Sequence, residues 1–332
     1  MISEAVDRVL REEFGLSKFS LAMAQAWLPR IFTEGKEDDS DVFARVRGML
    51  LYFVRHSRPK LHPMQSRCPE LLPGLRSKPF WDRSDSPHLE WVSKLEENTE
   101  GIKEELLKLR DAGAIGFQRY LAPSWSDGVK DTDDGLMGSK GSDSGDWNVY
   151  YLSLHSLDCA SNRARCPLTV SVLDSIPRQY EHSFFSSLAP DTHVTPHTGP
   201  TNKKLRIQLP LVVPEGRVCR LRAGEEERVH EVGKAIIFDD SFEHEAWNEH
   251  STDARVVLIL DIWHPDLSAE EIKFLTFLRA GQLRAAKKAS EKGVVEGAND
   301  FFTVLHKSKE RGADVGVVFA EASAKEEMPS VE

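Results

Sequence analysis

Two histidines in the second half of the chain have neighbours typical of metal ligands. His197 lies just before a Gly-Pro-Thr-Asn turn that leads into a candidate strand, and His244 follows a second candidate strand that ends near Phe238. Histidines at the ends of separate strands can meet in space, and imidazole binds iron, copper, zinc and nickel. The chain has 12 histidines, so this pair is a hypothesis that depends on how the strands are arranged.

The acid that usually completes such an iron site is missing beside His197. Non-haem Fe(II) oxygenases commonly hold the metal with two histidines and one carboxylate, the first histidine and the acid being spaced as His-x-Asp or His-x-Glu. Position 199 is a glycine, which cannot bind a metal through a side chain. Spacing alone leaves two interpretations: the histidines act without an acid, or Asp239, Asp240 or Asp261 supplies one.

Short segments with strand character surround both histidines. Between residues 147 and 263 apolar runs alternate with Gly and Pro, without a clear helix among them. The predicted strands are residues 149–154, 168–173, 205–213, 218–222, 235–238 and 255–262. In the third of these, apolar residues alternate with Arg206, Gln208 and Pro210, which leaves one face able to carry polar groups into a cavity. The pattern indicates an antiparallel sandwich or barrel.

Helices are predicted on both sides of this β region. Apolar residues recur at helical spacing near the N-terminus, between Ile2 and Leu10 and again between Val42 and Leu50. A further amphipathic helix is predicted over residues 87–111. Near the C-terminus, Ser268 followed by two glutamates is a candidate helix N-cap with acids in the first turn.

Proline, glycine and polar runs suggest where the chain divides. We expect residues 1–84 to form a helical region with a proline-rich connection, residues 85–267 the main domain, and residues 268–332 a helical region with a polar tail. Within the main domain, residues 124–146 are rich in Gly, Ser and Asp and are predicted to form a loop.

Composition argues against a nucleic-acid partner, a membrane-spanning segment and a signal peptide. A formal net charge of -10 and a pI near 5.7 argue against a nucleic-acid surface. No uninterrupted apolar run reaches the roughly 18 residues of a membrane span, and charged residues occupy the place where a signal peptide needs its apolar centre. We therefore expect a soluble protein, cytoplasmic by default.

The ordered motifs around the histidines closely resemble those of the aspartyl/asparaginyl β-hydroxylases. The resemblance is densest from about residue 186 and fades in the helical ends. It is carried by these strings: His193-Val194-Thr195-Pro196-His197-Thr198-Gly199-Pro200-Thr201-Asn202, Leu205-Arg206, Gly233-Lys234, Ile237-Phe238-Asp239-Asp240-Ser241-Phe242-Glu243-His244-Glu245-Ala246-Trp247-Asn248 and Asp261-Ile262-Trp263-His264-Pro265.

This resemblance implies a fold, a metal and a cosubstrate. The expected fold is a double-stranded β-helix, a jelly-roll or cupin-like core, with helices at both ends. His197 and His244 match the two ligands of Fe(II) in a family that uses no carboxylate. Arg255 is then expected to pair with the distal carboxylate of 2-oxoglutarate with help from Ser186, and Arg206 to lie near the carboxylate that chelates iron. The planar fork of a guanidinium suits such a pairing.

Two positions depart from the family pattern, and one pair of cysteines follows it. Gln208 stands where the family usually has a histidine that touches the cosubstrate, and Lys204 where an arginine often faces the acid of the substrate. Glutamine can still donate a hydrogen bond and lysine keeps its charge, so cosubstrate binding is expected to survive, while the identity of the substrate stays open. Cys159 and Cys166 match a disulfide-bonded pair of family members, which leaves two alternatives open: a bridge or two separate thiols.

The activity implied is hydroxylation of an unactivated carbon with Fe(II), 2-oxoglutarate and O2. The first hypothesis is the β-carbon of Asp or Asn residues in a protein or peptide, and the second is an acyl chain of a lipid, since relatives with this core act on lipids. A halide bound in place of the missing acid ranks third. The competing class is a catalytically inactive binding module that retains the fold.

Overall fold

The computed structural model describes residues 2–32, 41–59, 62–120, 141–154 and 159–291. Most of the predicted 124–146 loop, the acidic stretch from Gly35 to Ser40 and the polar C-terminal tail lie outside the described residues. None of the described helices is both long enough and apolar enough to cross a membrane.

Helices occupy the ends of the described chain and strands its centre. The helices are α1 (Ile2–Glu12), α2 (Lys18–Ala24), α3 (Leu28–Ile31), α4 (Ala44–Val54), α5 (Val92–Glu97), α6 (Thr99–Asp111), α7 (Ala160–Arg163), α8 (Pro167–Ser175) and α9 (Ala269–Glu291). The strands are β1 (Phe80–Trp81), β2 (Gln118–Arg119), β3 (Ser142–Ser144), β4 (Trp147–Leu154), β5 (Gln179–Leu188), β6 (Thr192–His197), β7 (Lys204–Val212), β8 (Cys219–Ala223), β9 (Glu226–Val229), β10 (Ile236–Phe238), β11 (His244–Asn248) and β12 (Arg255–Trp263).

The strands form two antiparallel sheets with a shared interior. The larger sheet has the order β1-β10-β7-β12-β5-β4-β2, and the smaller has the order β3-β6-β11-β8-β9. One buried cluster takes side chains from both sheets, among them Phe184 and Val257 from the larger and Val194 and Leu221 from the smaller. The sheets therefore pack face to face, which confirms the predicted jelly-roll core.

Strand β7 has one apolar face and one polar face, which follow from the alternation of its sequence. Leu205, Ile207 and Leu209 are buried with apolar side chains of α5, α6 and α8 in the core that covers the outer face of the larger sheet. Successive side chains of a strand point to opposite faces, so Arg206 and Gln208 point into the interior between the sheets. The alternation predicted from the sequence is thus the one the fold uses.

A separate core joins the two helical ends of the chain. Apolar side chains of α1, α4 and α9 pack together and against Trp263 at the end of β12. Helix α9 begins as predicted: the Ser268 hydroxyl accepts the Glu271 N–H at 3.1 Å, and the Glu271 carboxylate accepts the Ser268 N–H at 2.8 Å. This reciprocal capping box satisfies two N–H groups that the first turn leaves without helical partners. The domain boundaries after residues 84 and 267 stay predictions.

The predicted strand at residues 168–173 is wrong, because this segment is helix α8. Pro167 occupies its first turn, a favourable position because proline has no N–H to lose there. The buried carboxylate of Glu105, on α6, accepts the N–H groups of Leu168 at 2.7 Å and Thr169 at 2.8 Å. A cap supplied by another helix outweighs the strand preference of the local sequence, and it is visible only in the tertiary structure.

One other expectation needs correction, and the structure decides between the two alternatives for the cysteine pair. The single helix predicted over residues 87–111 is instead a short turn followed by α5 and α6, which meet at Asn98. No disulfide joins Cys159 and Cys166: both are buried thiols at the starts of α7 and α8. Cys166 instead lies in hydrogen-bonding contact with the Tyr150 hydroxyl, and burial raises the pKa of its thiol to about 12.

Candidate active site

A bulge in β6 brings the two histidines onto one face. His197 pairs directly with His244 across the β6–β11 ladder, but the next pair is Val194 with Ala246, so β6 contains one extra residue. An extra residue reverses which side of a strand the following side chains face. His197 is therefore turned inward beside His244, with the ring centroids 4.1 Å apart.

Hydrogen bonds fix both imidazole rings in the form that binds metals. The Nδ1–H of His197 donates to the Thr195 carbonyl at 2.7 Å, and that of His244 donates to the Phe242 carbonyl at 2.9 Å. With Nδ1 protonated, each Nε2 keeps a lone pair. Burial lowers the pKa of both histidines, so both rings are neutral at neutral pH.

Asp240 fills the space beside Gly199. The Gly199 N–H donates to the Asp240 carbonyl at 2.6 Å, and a β-carbon at position 199 would lie 2.6 Å from the Asp240 carboxylate. No carboxylate side chain fits at position 199 while Asp240 keeps this place. Glycine is therefore required by packing at the position where the common iron triad has its acid.

Five ionisable residues, three of them buried, occupy the end of the larger sheet's inner face that lies near the histidines. The Lys204 ammonium lies 2.5 Å from an Asp240 oxygen and 3.1 Å from an Asp261 oxygen. Arg206 donates to both Asp261 oxygens, at 2.8 and 3.0 Å, and His182 lies 2.9 Å from the same carboxylate. These cations hold the pKa of Asp261 well below its usual value despite its burial. Charge here is compensated within the protein.

Lys204 occupies a different environment from the one expected of a substrate-facing residue. It is only 1% exposed, and both of its ion-pair partners are themselves buried. An ammonium already neutralised by two carboxylates has little attraction left for the acid of a substrate. Arg206 is the more accessible cation of this end, with 14% of its side chain exposed.

Arg255, at the far end of the same face, has no such compensation. It is 2% exposed, and its Nε and Nη1 have no hydrogen-bond partner. No carboxylate of the described chain pairs with it, and burial lowers the pKa of its guanidinium to about 10. Ser186 lies on the neighbouring strand β5, beside Val257, and its hydroxyl accepts the Trp147 indole N–H at 3.0 Å.

Gln208 lies on the inner face between Arg206 and the Arg255 end. Strand register sets Arg206 opposite Asp261 and Gln208 opposite Ile259, one step closer to Arg255 along β12. Its Oε1 accepts a hydrogen bond from the Nε2–H of His230 at 2.7 Å. His230 is buried after β9, where its backbone N–H donates to the Cys219 carbonyl.

Two residues of this interior, His182 and His230, were missed from the sequence. Asp261 and Arg255 are six residues apart on β12, so the alternation of a strand already places them on one face. The same rule puts His182 and Ser186 together on β5. His230 gives no such signal, because it lies outside a strand and meets Gln208 only through the fold.

Other histidines and tryptophans of the motif lie elsewhere. His193 is on the outer side of the smaller sheet, where it bonds to Asp143 and Glu245 and stacks on Trp247 with ring centroids 5.2 Å apart. Trp263 is buried in the core between the helical ends. Trp147, rather than either of these, lies near the histidine pair, 6.4 Å from His197 between ring centroids.

The residues present fit a metal ion held by two protein ligands. Two neutral rings with bonded Nδ1 atoms offer two Nε2 lone pairs on one face. Across the described ranges, no cluster of three or more His, Cys, Asp or Glu residues has the arrangement of a metal site. Among the described residues this pair is therefore the candidate ligand set, with no third side chain placed to complete it.

The comparison with known proteins gives a consistent family. The family model described as aspartyl/asparaginyl beta-hydroxylase matches residues 96–265. The human protein named aspartyl/asparaginyl beta-hydroxylase is 32% identical over 229 residues, which cover 68% of this chain and 28% of the human protein. The human aspartate beta-hydroxylase domain-containing protein 2 is 32% identical over 234 residues, covering 68% of this chain and 57% of that protein.

A lipid enzyme is also among the relatives. The ornithine lipid ester-linked acyl 2-hydroxylase of Rhizobium tropici is 32% identical over 192 residues, which cover 58% of this chain and 62% of that enzyme. The chain therefore spans between 28% and 62% of the length of these three relatives.

Proposed function

Because the chain belongs to the aspartyl/asparaginyl β-hydroxylase family, we propose that it is an Fe(II)- and 2-oxoglutarate-dependent dioxygenase. Two observations carry the proposal. The inner face of the smaller sheet presents two histidines with free Nε2 lone pairs, and the inner face of the larger sheet, which packs against it, presents the buried Arg255, with which no described acid pairs. The histidine lone pairs can bind a cation, and the Arg255 guanidinium can bind an anion. A metal with a dicarboxylate bound to it supplies both.

His197 and His244 would hold the metal through their Nε2 atoms. The carbonyls that accept their Nδ1–H groups orient the rings before metal arrives, as outer partners of metal-bound histidines generally do. Bound Fe(II), with 2-oxoglutarate and O2, supplies the oxidising power to place a hydroxyl on an unactivated carbon. The protein's own task is to position the reactants and exclude water.

Arg255 and Arg206 would bind the two ends of 2-oxoglutarate. A buried guanidinium without an anion is costly, and a carboxylate would give Arg255 two parallel hydrogen bonds. Ser186 is close enough in register to add a third. Arg206 is near the histidines and partly exposed, so it can contact the end that chelates the metal without leaving Asp261.

The substrate proposed first is an Asp or Asn side chain of a protein, hydroxylated at its β-carbon. The family and the two human relatives support this choice. A lipid acyl chain is the second candidate, because the Rhizobium tropici lipid hydroxylase has a similar identity over a larger share of its own length than the human hydroxylase has. The pairing of Lys204 inside the protein removes one cation from any contact with a substrate acid.

Cofactor binding is tested first. Fe(II) and 2-oxoglutarate added without oxygen should give the weak visible absorption band of a chelate, and oxygen should then convert 2-oxoglutarate to succinate. His244→Ala should lose both the band and succinate formation, whereas His88→Ala, at an exposed histidine, should retain them. A folded wild-type protein without the band would favour the inactive binding module.

Substrate class is tested by mass spectrometry. Asp- and Asn-containing peptides incubated with the loaded enzyme should gain the mass of one oxygen atom, and fragmentation should place it on the β-carbon. Ornithine lipids and other acylated lipids are incubated in parallel. Oxygen gained only by lipids would replace the protein substrate with the second candidate.

A further inference from the structure

Gln208 and His230 form a buried polar pair on the wall between the two arginines. The Nε2–H of His230 donates to Gln208 Oε1 at 2.7 Å, and both side chains are at least 94% buried. The other ring nitrogen of His230, Nδ1, is buried without a hydrogen-bond partner. A desolvated pair of this kind specifies orientation strongly, because a wrongly turned amide would leave its polar atoms unpaired.

This bond decides which end of the Gln208 amide faces a ligand. Burial and the nearby Arg255 guanidinium hold the pKa of His230 well below its usual value, so the ring is neutral and has a single N–H. With that N–H on Oε1, the amide acceptor is already used. The Nε2 of Gln208 donates in no hydrogen bond among the described residues, so the amide offers donors only.

A wall with two arginines and an amide donor suits an anion. Register places the Gln208 side chain between Arg206 and the Arg255 end of the face. An amide turned the other way would present its oxygen, which repels a carboxylate. The direction of the Gln208 amide thus decides whether this part of the wall attracts or opposes 2-oxoglutarate.

Resting on the proposed function, we propose that His230 is a positioning residue for the cosubstrate. By holding Gln208 Oε1, it turns the Gln208 amide N–H groups toward bound 2-oxoglutarate. His230 itself acts through Gln208 and needs no contact with the cosubstrate.

The test is a double-mutant cycle on the affinity for 2-oxoglutarate, measured without oxygen in Fe(II)-loaded protein. The variants are His230→Phe, Gln208→Leu and the two combined. Loss of one hydrogen bond to a charged ligand is expected to weaken binding on the order of tenfold in either single variant. If His230 acts through Gln208, the double variant should be no weaker than Gln208→Leu. Affinity for Fe(II) alone should stay unchanged throughout.

Two further variants separate this role from a general need for a buried histidine. His230→Gln keeps an N–H donor and should recover most of the affinity. His264→Phe replaces another buried neutral histidine, one bonded to the Arg76 carbonyl, and should leave the affinity unchanged. Thermal melting of every variant checks folding. If His230→Phe does not fold, the comparison of His230→Gln with Gln208→Leu decides.

The outcomes distinguish this inference from the proposed function. Unchanged affinity in His230→Phe, or additive losses in the cycle, would overturn the positioning role and leave the dioxygenase proposal intact. Absence of any 2-oxoglutarate binding in the wild-type protein would instead overturn the proposed function.

Discussion

The two ends of the larger sheet's inner face differ in how their buried charges are compensated. At one end Lys204 and Arg206 are matched by Asp240 and Asp261, within 3.4 Å or less. At the other end Arg255 is buried, and no acid among the described residues pairs with it. Uncompensated burial of a charge is destabilising, so the folded protein retains at Arg255 a cost that a ligand can remove. The charges of Lys204 and Arg206 are therefore neutralised within the protein, whereas the charge of Arg255 can be neutralised by a bound anion.

The largest expected effect comes from breaking the compensated end. Asp261→Ala leaves Lys204 and Arg206 sharing one acid, and removing one partner of a buried pair typically costs about 3–5 kcal/mol of folding stability. Asp174→Ala is the control, because Asp174 and its partner Arg163 lie at the surface, 56% and 31% exposed, and such surface pairs contribute about 0–1 kcal/mol. Urea unfolding of both variants measures the difference. Equal losses of unfolding free energy would show that the buried ion pairs contribute no more than a surface pair.

Arg255→Met should not lower folding stability, in contrast to Asp261→Ala. Removing an unpaired buried charge should leave the free energy of unfolding unchanged or higher. Affinity for 2-oxoglutarate should fall about a hundredfold or more, since hydrogen bonds between charged groups are each worth about 1.5–3 kcal/mol. Arg163→Met, at a surface arginine bonded to Asp174, is the control for both measurements. Marked destabilisation by Arg255→Met would show that the charge of Arg255 stabilises the fold, as the paired charges at the other end do.

Gly199→Asp tests whether the missing acid can simply be restored. Any side chain at position 199 meets the Asp240 carboxylate, and overpacking of this kind typically costs about 1–3 kcal/mol. A second carboxylate beside Asp240 also adds repulsion. The variant should therefore be less stable and should bind Fe(II) more weakly than the wild type. Tighter Fe(II) binding would mean that Asp240 yields its place and that the acid is missing for another reason.

The smallest effect concerns Asp239, which lies next to the compensated end but forms no ion pair with a cation of the described ranges. Burial raises the pKa of Asp239 to about 7, above the value of about 3.9 in an unfolded chain. Between these values the folded state holds a proton that the unfolded state lacks, so stability falls as pH rises. Asp239→Asn should reduce this fall by about 1 kcal/mol or more. Urea unfolding at about pH 5 and pH 8 measures it, and parallel curves for both proteins would contradict the assignment.

Much of the fold follows from patterns along the chain. The alternating strand β7, the apolar strand β12 and the capped start of α9 were predicted because the residues themselves carry the alternation, the apolar run or the cap. Helix α8 was predicted as a strand, because its cap comes from Glu105 on another helix. Strands β5, β6 and β11 were missed, since polar residues that serve the site interrupt their apolar pattern.

The candidate site divides in the same way. Its ligands and cations were named from the motifs, but their surroundings were not: the sequence does not show that Lys204 is paired inside the protein or that His230 supports Gln208. Such contacts join residues that are 22 or more positions apart, and local pattern contains no information on them.

The residue types and their order alone determined the chemistry available to this chain: two histidines, an arginine on the last strand, and a glycine where an acid would be expected. Only the tertiary structure decided how these groups are used. The bulge in β6 turns His197 inward, and strand register sets Asp240 and Asp261 beside Lys204 and Arg206 while leaving Arg255 unpaired. The physical reason is that the energy of a buried charge depends on its neighbours in space, which strand pairing selects.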